Sequence, residues 1–254
     1  MNFPTNHFKA KLHRLTYGTW NAIPHTYAAD ICAGAGFDWV CIDMEHAPLE
    51  LTDVLHHLQV INGYPEVAAV VRPPDHDLAR IKRLLDMGVQ SLIVPMVDTV
   101  GEAEALVRAM RYPPKGVRGM ASSMVRAARF GNVENYPAQA DAEMCLIVQI
   151  ETVEGVANLD AIVAVDGVDG VLFGPADLAA SMGFLGEPSH PEVVASIVAS
   201  IRRVRALGKA AGTLALTPES VATYKAAGST IIGAAVDLML LNTAAREVAA
   251  GLPR

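Results

Sequence analysis

Two stretches decide how this chain folds: Met144-Cys-Leu-Ile-Val-Gln-Ile-Glu151-Thr and Gly170-Val-Leu-Phe-Gly-Pro-Ala-Asp177-Leu. Each is a short apolar run that stops at, or one turn before, a carboxylate. Continuous apolar runs of this length suit strands buried on both faces, as in parallel sheets covered by helices. A parallel strand that ends beside a carboxylate presents it at the mouth of the sheet. Two such carboxylates from successive strands can share one hard divalent ion and leave its other positions to water and substrate oxygens.

Working outward, the same unit repeats. Strands are predicted near Thr16–Trp20, Trp39–Asp43, Val67–Val71, Ser91–Pro95, Met144–Ile150, Gly170–Phe173, Lys209–Leu214 and Thr230–Gly233. Helices are predicted near Tyr27–Gly34, Leu51–Ile61, Leu78–Met87, Glu102–Met110, Ala157–Val165, Pro191–Leu207 and Pro218–Ala226, with a last one from Asp237 to Ala250. The steps Gly34-Ala-Gly36, Met87-Gly88, Leu207-Gly208 and Ala227-Gly228 close helices just before strands, where glycine supplies the left-handed cap. Eight strand–helix units predict an α/β fold of the (β/α)8 TIM-barrel type, one domain over residues 1–254. No G-x-G-x-x-G stands between a strand and a helix, so a dinucleotide fold is not expected.

The segment Arg111 to Asp141 breaks the rhythm and is too long for an ordinary connection. It carries Arg111, Arg118, Arg126 and Arg129 and reads as an excursion over the barrel rim, solvated, or else a lid or subunit contact.

Composition narrows the class. The 254 residues are 52% hydrophobic and 19% charged, which excludes global disorder. A net charge of −7 offers no general attraction for nucleic acid or anionic membrane. The longest apolar stretch, Ile231 to Leu241, is too short to span a bilayer, and the N-terminus shows no secretory pattern, so a cytoplasmic location is expected. Cys32, Cys41 and Cys145 lack metal or disulfide spacing and read as buried thiols.

At predicted strand ends stand Asp43, Glu45 and His46, then Arg72, then Gln149 and Glu151, then Gly174, Pro175, Ala176 and Asp177. Glu151 and Asp177 supply two ligands, which suits Mg2+ or Mn2+ completed by water and a chelating 2-oxo acid. Backbone N–H groups at Ala176 and Asp177 can receive the acid's other oxygen, and Arg72 can carry charge that develops on the keto oxygen. His46 is the natural proton carrier, with Asp43 or Asp86 available to orient its ring. Taken singly, each has a structural explanation: a cap, an ion pair, a surface histidine. Their joint occurrence at strand ends is what points to chemistry. None of Lys9, Lys11, Lys82, Lys115, Lys209 and Lys225 ends a strand, so a metal-stabilised enolate is favoured over an imine.

The chain resembles the class II, metal-dependent pyruvate aldolases of the 4-hydroxy-2-oxoheptanedioate aldolase and 2-dehydro-3-deoxyglucarate aldolase family. The matching stretches are Ala33-Gly-Ala-Gly-Phe-Asp-Trp, Ile42-Asp-Met-Glu-His-Ala-Pro, Val71-Arg-Pro, Val94-Pro-Met, Arg111-Tyr-Pro-Pro-Lys-Gly-Val-Arg-Gly, Val148-Gln-Ile-Glu-Thr and Gly174-Pro-Ala-Asp-Leu. They run nearly end to end, although residues before Thr16 match weakly. Met44 is a departure, since some members carry a smaller residue there. The resemblance implies a barrel whose last helix packs on a neighbouring subunit, in hexamers built from dimers. It makes His46 the base, Arg72 the transition-state stabiliser, Asp86 the group that raises the basicity of His46, and Glu151 and Asp177 the metal ligands. Gln149, Ala176 and Asp177 would contact the oxo acid, and Trp20 and Leu214 would line the pocket.

The implied activity is reversible cleavage of a 4-hydroxy-2-oxo acid to pyruvate and an aldehyde with Mg2+, Mn2+ or Co2+ and no organic cofactor. The alternatives are a CoA-thioester hydroxyacid lyase, an oxaloacetate decarboxylase or a non-catalytic oxo-acid-binding protein. Small molecules and copies of the chain itself are the expected partners.

Overall fold

The computed structural model describes residues 1–253. Eight parallel strands close into a barrel in sequence order. They are β1 (Thr16–Asn21), β2 (Trp39–Asp43), β3 (Ala68–Arg72), β4 (Ser91–Val94), β5 (Cys145–Ile150), β6 (Gly170–Phe173), β7 (Ala210–Leu214) and β8 (Ile231–Val236). The helices are α1 (His7–Lys11), α2 (Thr26–Gly34), α3 (Leu51–Ile61), α4 (Leu78–Met87), α5 (Val100–Met110), α6 (Tyr136–Glu143), α7 (Val153–Ala157), α8 (Leu159–Val163), α9 (Pro175–Ser181), α10 (Pro191–Ala206), α11 (Pro218–Ala226) and α12 (Asp237–Ala250).

Every residue of β2, β4, β5 and β6 is buried, as expected for strands sealed between a packed lumen and a ring of helices. Alternate residues point inward: Trp39, Cys41, Val70, Ile93, Ile147, Leu172 and Ile231 form the lumen core. Their neighbours Val40, Ile42, Val71, Leu92, Val148 and Phe173 pack outward against the helices. Phe8 of α1 closes the N-terminal end of the lumen, edge-on to Trp39 at 5.8 Å between centroids, and Trp39 in turn meets Trp20 at 5.5 Å. Gly18 is required by this stack, because a Cβ there would lie inside the Trp39 ring. The three cysteines are buried, as composition suggested.

Several local details differ from the sequence-based prediction. Strand β4 stops at Val94, since Pro95 has no N–H for the ladder. The helix expected over Ala157–Val165 is two short helices that meet at Asn158. Helices α1 and α6 were not expected at all. Asn6 anchors the first of them: its side chain accepts from the Lys9 N–H at 3.0 Å and donates to Ser91 Oγ at 2.9 Å and to the Glu143 carbonyl at 2.8 Å.

The excursion also lies elsewhere than expected. It joins α5 to β5, so it lies at the N-terminal face of the barrel, away from the ends of the strands that carry the predicted site. There Tyr112, Ala127, Ala128, Val133, Tyr136 and Ala140 make a small core of their own, and Phe3 stacks on Tyr136 at 5.5 Å. It therefore cannot be a lid over its own mouth, which leaves the solvated and the subunit-contact readings.

Candidate active site

The C-terminal ends of the strands surround a cavity of about 320 Å3. It is lined by Trp20, Asp43, His46, Arg72, Gln149, Gly174, Pro175, Ala176, Asp177 and Leu214, so ten of the expected site residues converge on one space. Glu151 stands directly behind this wall, 1% exposed, bonded through Oε2 to Gln149 Nε2.

Arg72 ends β3 opposite Asp43, which ends β2 in register with it. The pair is bidentate, Nε to Oδ1 at 2.9 Å and Nη2 to Oδ2 at 2.7 Å, and Nη1 lies 3.0 Å from Glu45 Oε2. Burial opposes the charge of Arg72, yet the hydrogen bonds and charge of Asp43 outweigh it and leave the guanidinium above its ordinary pKa. It also stands over the Trp20 ring, 5.7 Å from the centroid.

Glu151 is held by a strained backbone. Met96, just past β4, adopts φ 53°, a left-handed conformation that a side-chain-bearing residue rarely takes, and its N–H reaches Glu151 Oε1 at 2.9 Å. Gly174 makes room on the other side, since a Cβ there would overlap Glu151 Oε2 and approach Gln149 Nε2 to 3.1 Å. Burial pushes the Glu151 carboxyl up to about 7 against these hydrogen bonds, with the charges of Glu45 and Asp177 adding to the rise. Burial raises Glu45 as well, the Arg72 charge opposing and those of Asp43 and Asp177 adding.

The mouth thus carries four carboxylates, Asp43, Glu45, Glu151 and Asp177, and one guanidinium, Arg72, which pairs with the first two. Two buried acceptors there accept no well-aligned hydrogen bond among the described residues: Gln149 Oε1, and Glu45 Oε2, whose contact is the ion pair with Arg72. Excess negative charge and unsatisfied oxygens suit a hard divalent cation. Among the described residues no three His, Cys, Asp or Glu side chains cluster closely enough to hold a metal by themselves, so an ion here would rely on two protein ligands plus water or substrate.

His46 is the most open member of the set, its side chain 63% exposed at the rim. Asp43 does not orient its ring: besides Arg72, its Oδ1 accepts the backbone N–H groups of Glu45 at 3.1 Å and His46 at 3.5 Å. The carboxylate near the imidazole is Glu45, with Oε2 3.9 Å from Nε2. Asp86 is not in this cavity. It lies in the last turn of α4, which descends to the N-terminal face, and there it meets Arg118 Nη2 at 3.5 Å. Within one protomer Asp86 therefore cannot act on His46.

Sequence reasoning assigned no role to Glu45, although its place two residues after Asp43 in the same loop was a usable signal. Met96 carried none, because its role is a backbone conformation. Ala22, Val236, Leu238 and Met239 also line the cavity and were not anticipated.

Such a mouth can hold negative charge on an oxo acid while a neighbouring base moves a proton, the task of a carbon–carbon lyase that works through an enolate. Comparison with known proteins carries this to a family. The profile described as HpcH/HpaI aldolase/citrate lyase matches residues 16–244, and the chain belongs to that family. It is 49% identical to the hydroxypyruvate/pyruvate aldolase of Pseudomonas aeruginosa over 98% of this chain and 93% of that one. It is 47% identical to the 4-hydroxy-2-oxo-heptane-1,7-dioate aldolase of Escherichia coli over 96% of this chain and 94% of the other. Among solved structures, an HpcH/HpaI aldolase/citrate lyase family protein from Burkholderia cenocepacia superposes with a TM-score of 0.92 at 38% identity, covering 96% of this chain and 98% of that one. The chain is a carbon–carbon lyase.

Proposed function

We propose that this protein reversibly cleaves a 4-hydroxy-2-oxo acid into pyruvate and an aldehyde, with a divalent metal at Glu151 and Asp177. The observation that carries the reading is the convergence of His46, Arg72, Gln149 and Asp177 on one cavity, with Glu151 directly behind it.

When bound, a divalent cation supplies a Lewis acid for the keto and carboxylate oxygens of the substrate. The chain's own residues do the rest. His46 takes the proton of the C4 hydroxyl, the C3–C4 bond breaks, and C4 leaves as the aldehyde carbonyl. The electron pair passes to C3 and delocalises onto the keto oxygen, where Arg72 stabilises it. Solvent delivers a proton to C3 to give pyruvate, His46 returns the proton it took to solvent, and condensation runs the same steps backward. Asp43 and Glu45 hold Arg72 in position, while Gln149, Gly174, Pro175 and Ala176 shape the oxo-acid side and Trp20 and Leu214 the remainder.

A cavity of about 320 Å3 is at the small end of ligand clefts, which favours a three-carbon donor and a short aldehyde over a CoA arm. The exposed apolar residues Leu238, Leu241 and Val248 on α12 support packing of that helix against a neighbouring copy, and a hexamer of paired subunits is the assembly proposed. In it, Asp86 of one subunit can serve His46 of another. Among the described residues no helix is long and apolar enough to cross a membrane, and a cytoplasmic enzyme is proposed.

The test is pyruvate release from a racemic 4-hydroxy-2-oxo acid before and after EDTA, with Mg2+, Mn2+ or Co2+ restored. Loss and recovery are expected. Release that ignores EDTA and is trapped by borohydride would replace the metal reading with an imine. Replacing His46 by Ala is expected to lower kcat roughly 10²–10⁴-fold; an unchanged rate removes it as the base.

A further inference from the structure

The peptide unit between Pro95 and Met96 is hydrogen-bonded at both ends. Its N–H, on Met96, donates to Glu151 Oε1 at 2.9 Å, and its carbonyl, on Pro95, accepts from His76 Nε2 at 2.7 Å. A carbonyl can only accept, so this contact requires a proton on Nε2 of the imidazole. His76 is half-buried and stands between Arg72, the end of β3, and Leu78, the start of α4.

That peptide unit is also where the backbone is strained. Met96 holds φ 53°, and rotation of the Pro95–Met96 peptide would return it to the favoured region. Packing of its own side chain does not prevent this, because Met96 is 45% exposed. The chain on either side is fixed. Strand β4 runs to Val94, the Val97 N–H donates to the Gln149 carbonyl at 3.1 Å, and Asn158 Nδ2 donates to the Asp98 carbonyl at 2.8 Å. A trans peptide is planar, with its C=O and N–H pointing in opposite directions. A bond that fixes the carbonyl therefore fixes the N–H, and donation to the carbonyl polarises that N–H further.

We infer that His76 is a positioning residue for the metal site, aiming the Glu151 carboxylate through the Pro95–Met96 peptide. The inference rests on the metal reading and deepens it. Glu151 accepts from the Met96 N–H through Oε1 and from Gln149 Nε2 through Oε2, so one donor on each oxygen sets the plane of the carboxylate. Without His76 the peptide turns, Met96 relaxes, Oε1 loses its donor and the carboxylate pivots about the Gln149 bond. Glu151 keeps its chemistry and loses its aim. Removing an outer partner of this kind weakens metal binding by about 10–100-fold.

The experiment is Mn2+ binding to the metal-free enzyme, read as Kd from the paramagnetic resonance signal of the free ion. His76→Leu removes the donor and keeps much of the bulk, and is expected to weaken binding at least about tenfold. His76→Gln keeps an N–H at similar reach and is expected to stay within about threefold of wild type. At saturating Mn2+ the kcat of His76→Leu is expected to return to within about twofold of wild type, a split that general damage would not give. Wild-type affinity in His76→Leu overturns the inference, and so does binding by His76→Gln as weak as that of His76→Leu. Glu151→Ala, measured alongside, separates the two levels. Weak binding by Glu151→Ala with unchanged binding by His76→Leu overturns the positioning role alone. Mn2+ that fails to bind the wild type, or binds Glu151→Ala equally well, overturns the metal reading and the positioning role with it.

Discussion

Two buried arginines stand at opposite ends of the barrel, and they are stabilised in different ways. Arg72 at the mouth is 8% exposed and grips Asp43 through two short bonds, with Glu45 beside it. Arg118 at the N-terminal face is 1% exposed, yet its nearest carboxylate, Asp86, is 3.5 Å away and its Nε has no partner among the described residues. It lies over the Tyr112 ring, 4.5 Å from the centroid, and against Met144 Sδ at 3.8 Å. One guanidinium is fixed by paired charges that substrate can reach, the other by an aromatic face and packing. Depth of burial alone does not mark a functional charge. What marks Arg72 is its place in a mouth with more carboxylates than cations, an imbalance that a divalent cation can relieve.

The sharpest way to test that contrast is Arg72→Met. Turnover is expected to fall about 10²–10³-fold through loss of charge stabilisation. Stability is expected to fall by about 3–5 kcal/mol, because Asp43 is left buried without its partner. Steady-state kinetics and urea unfolding check both, and a variant that unfolds like wild type would show that Asp43 does not depend on Arg72.

Glu151 gives an effect of intermediate size. Its folded-state pKa of about 7 lies above the ordinary 4.5, so between these values the unfolded chain has lost the proton while the fold keeps it. Metal-free stability should therefore fall as pH rises through that window, by about 3 kcal/mol at 1.36 kcal/mol per unit. Glu151→Gln should remove this slope and be the more stable form at pH 8. Equal pH dependence of Tm in the two metal-free proteins would break the prediction.

The smallest effect is expected for Arg118→Met, which replaces a weakly paired charge by an apolar chain that can still pack on Tyr112. A loss of about 1–3 kcal/mol is expected from the contacts removed and from Asp86, which is partly solvated and tolerates the change. A loss as large as that of Arg72→Met would put the two arginines on the same footing.

How far the sequence could be read follows from what is local. The strands that end at Asp43, Arg72, Ile150 and Phe173 are contiguous apolar runs closed by polar residues, and a parallel barrel places all such ends on one face. That made most of the mouth legible before any coordinates. Asp86 stands apart from the mouth of its own barrel because its helix is an amphipathic segment whose end points to the other face, and only the direction of the chain says so. Helix α6 was missed because its apolar residues make no consistent stripe, and the small core around Tyr136 gives it a reason to form. The short helix α1 exists because Phe8 has a lumen to plug and Asn6 has partners on β4 and α6.

The sequence by itself determined the repeated strand–helix unit, the eightfold count and the chemical identity of the residues at the strand ends, because each depends on neighbours within a few positions. The tertiary structure decided which groups meet. It put the excursion under the barrel, gave Asp43 to Arg72 in place of His46 and turned the Met96 N–H onto Glu151. Those outcomes depend on closure of the sheet, which brings residues two hundred positions apart within hydrogen-bond distance, as Asn21 and Asp237 are. No local pattern encodes a contact of that kind.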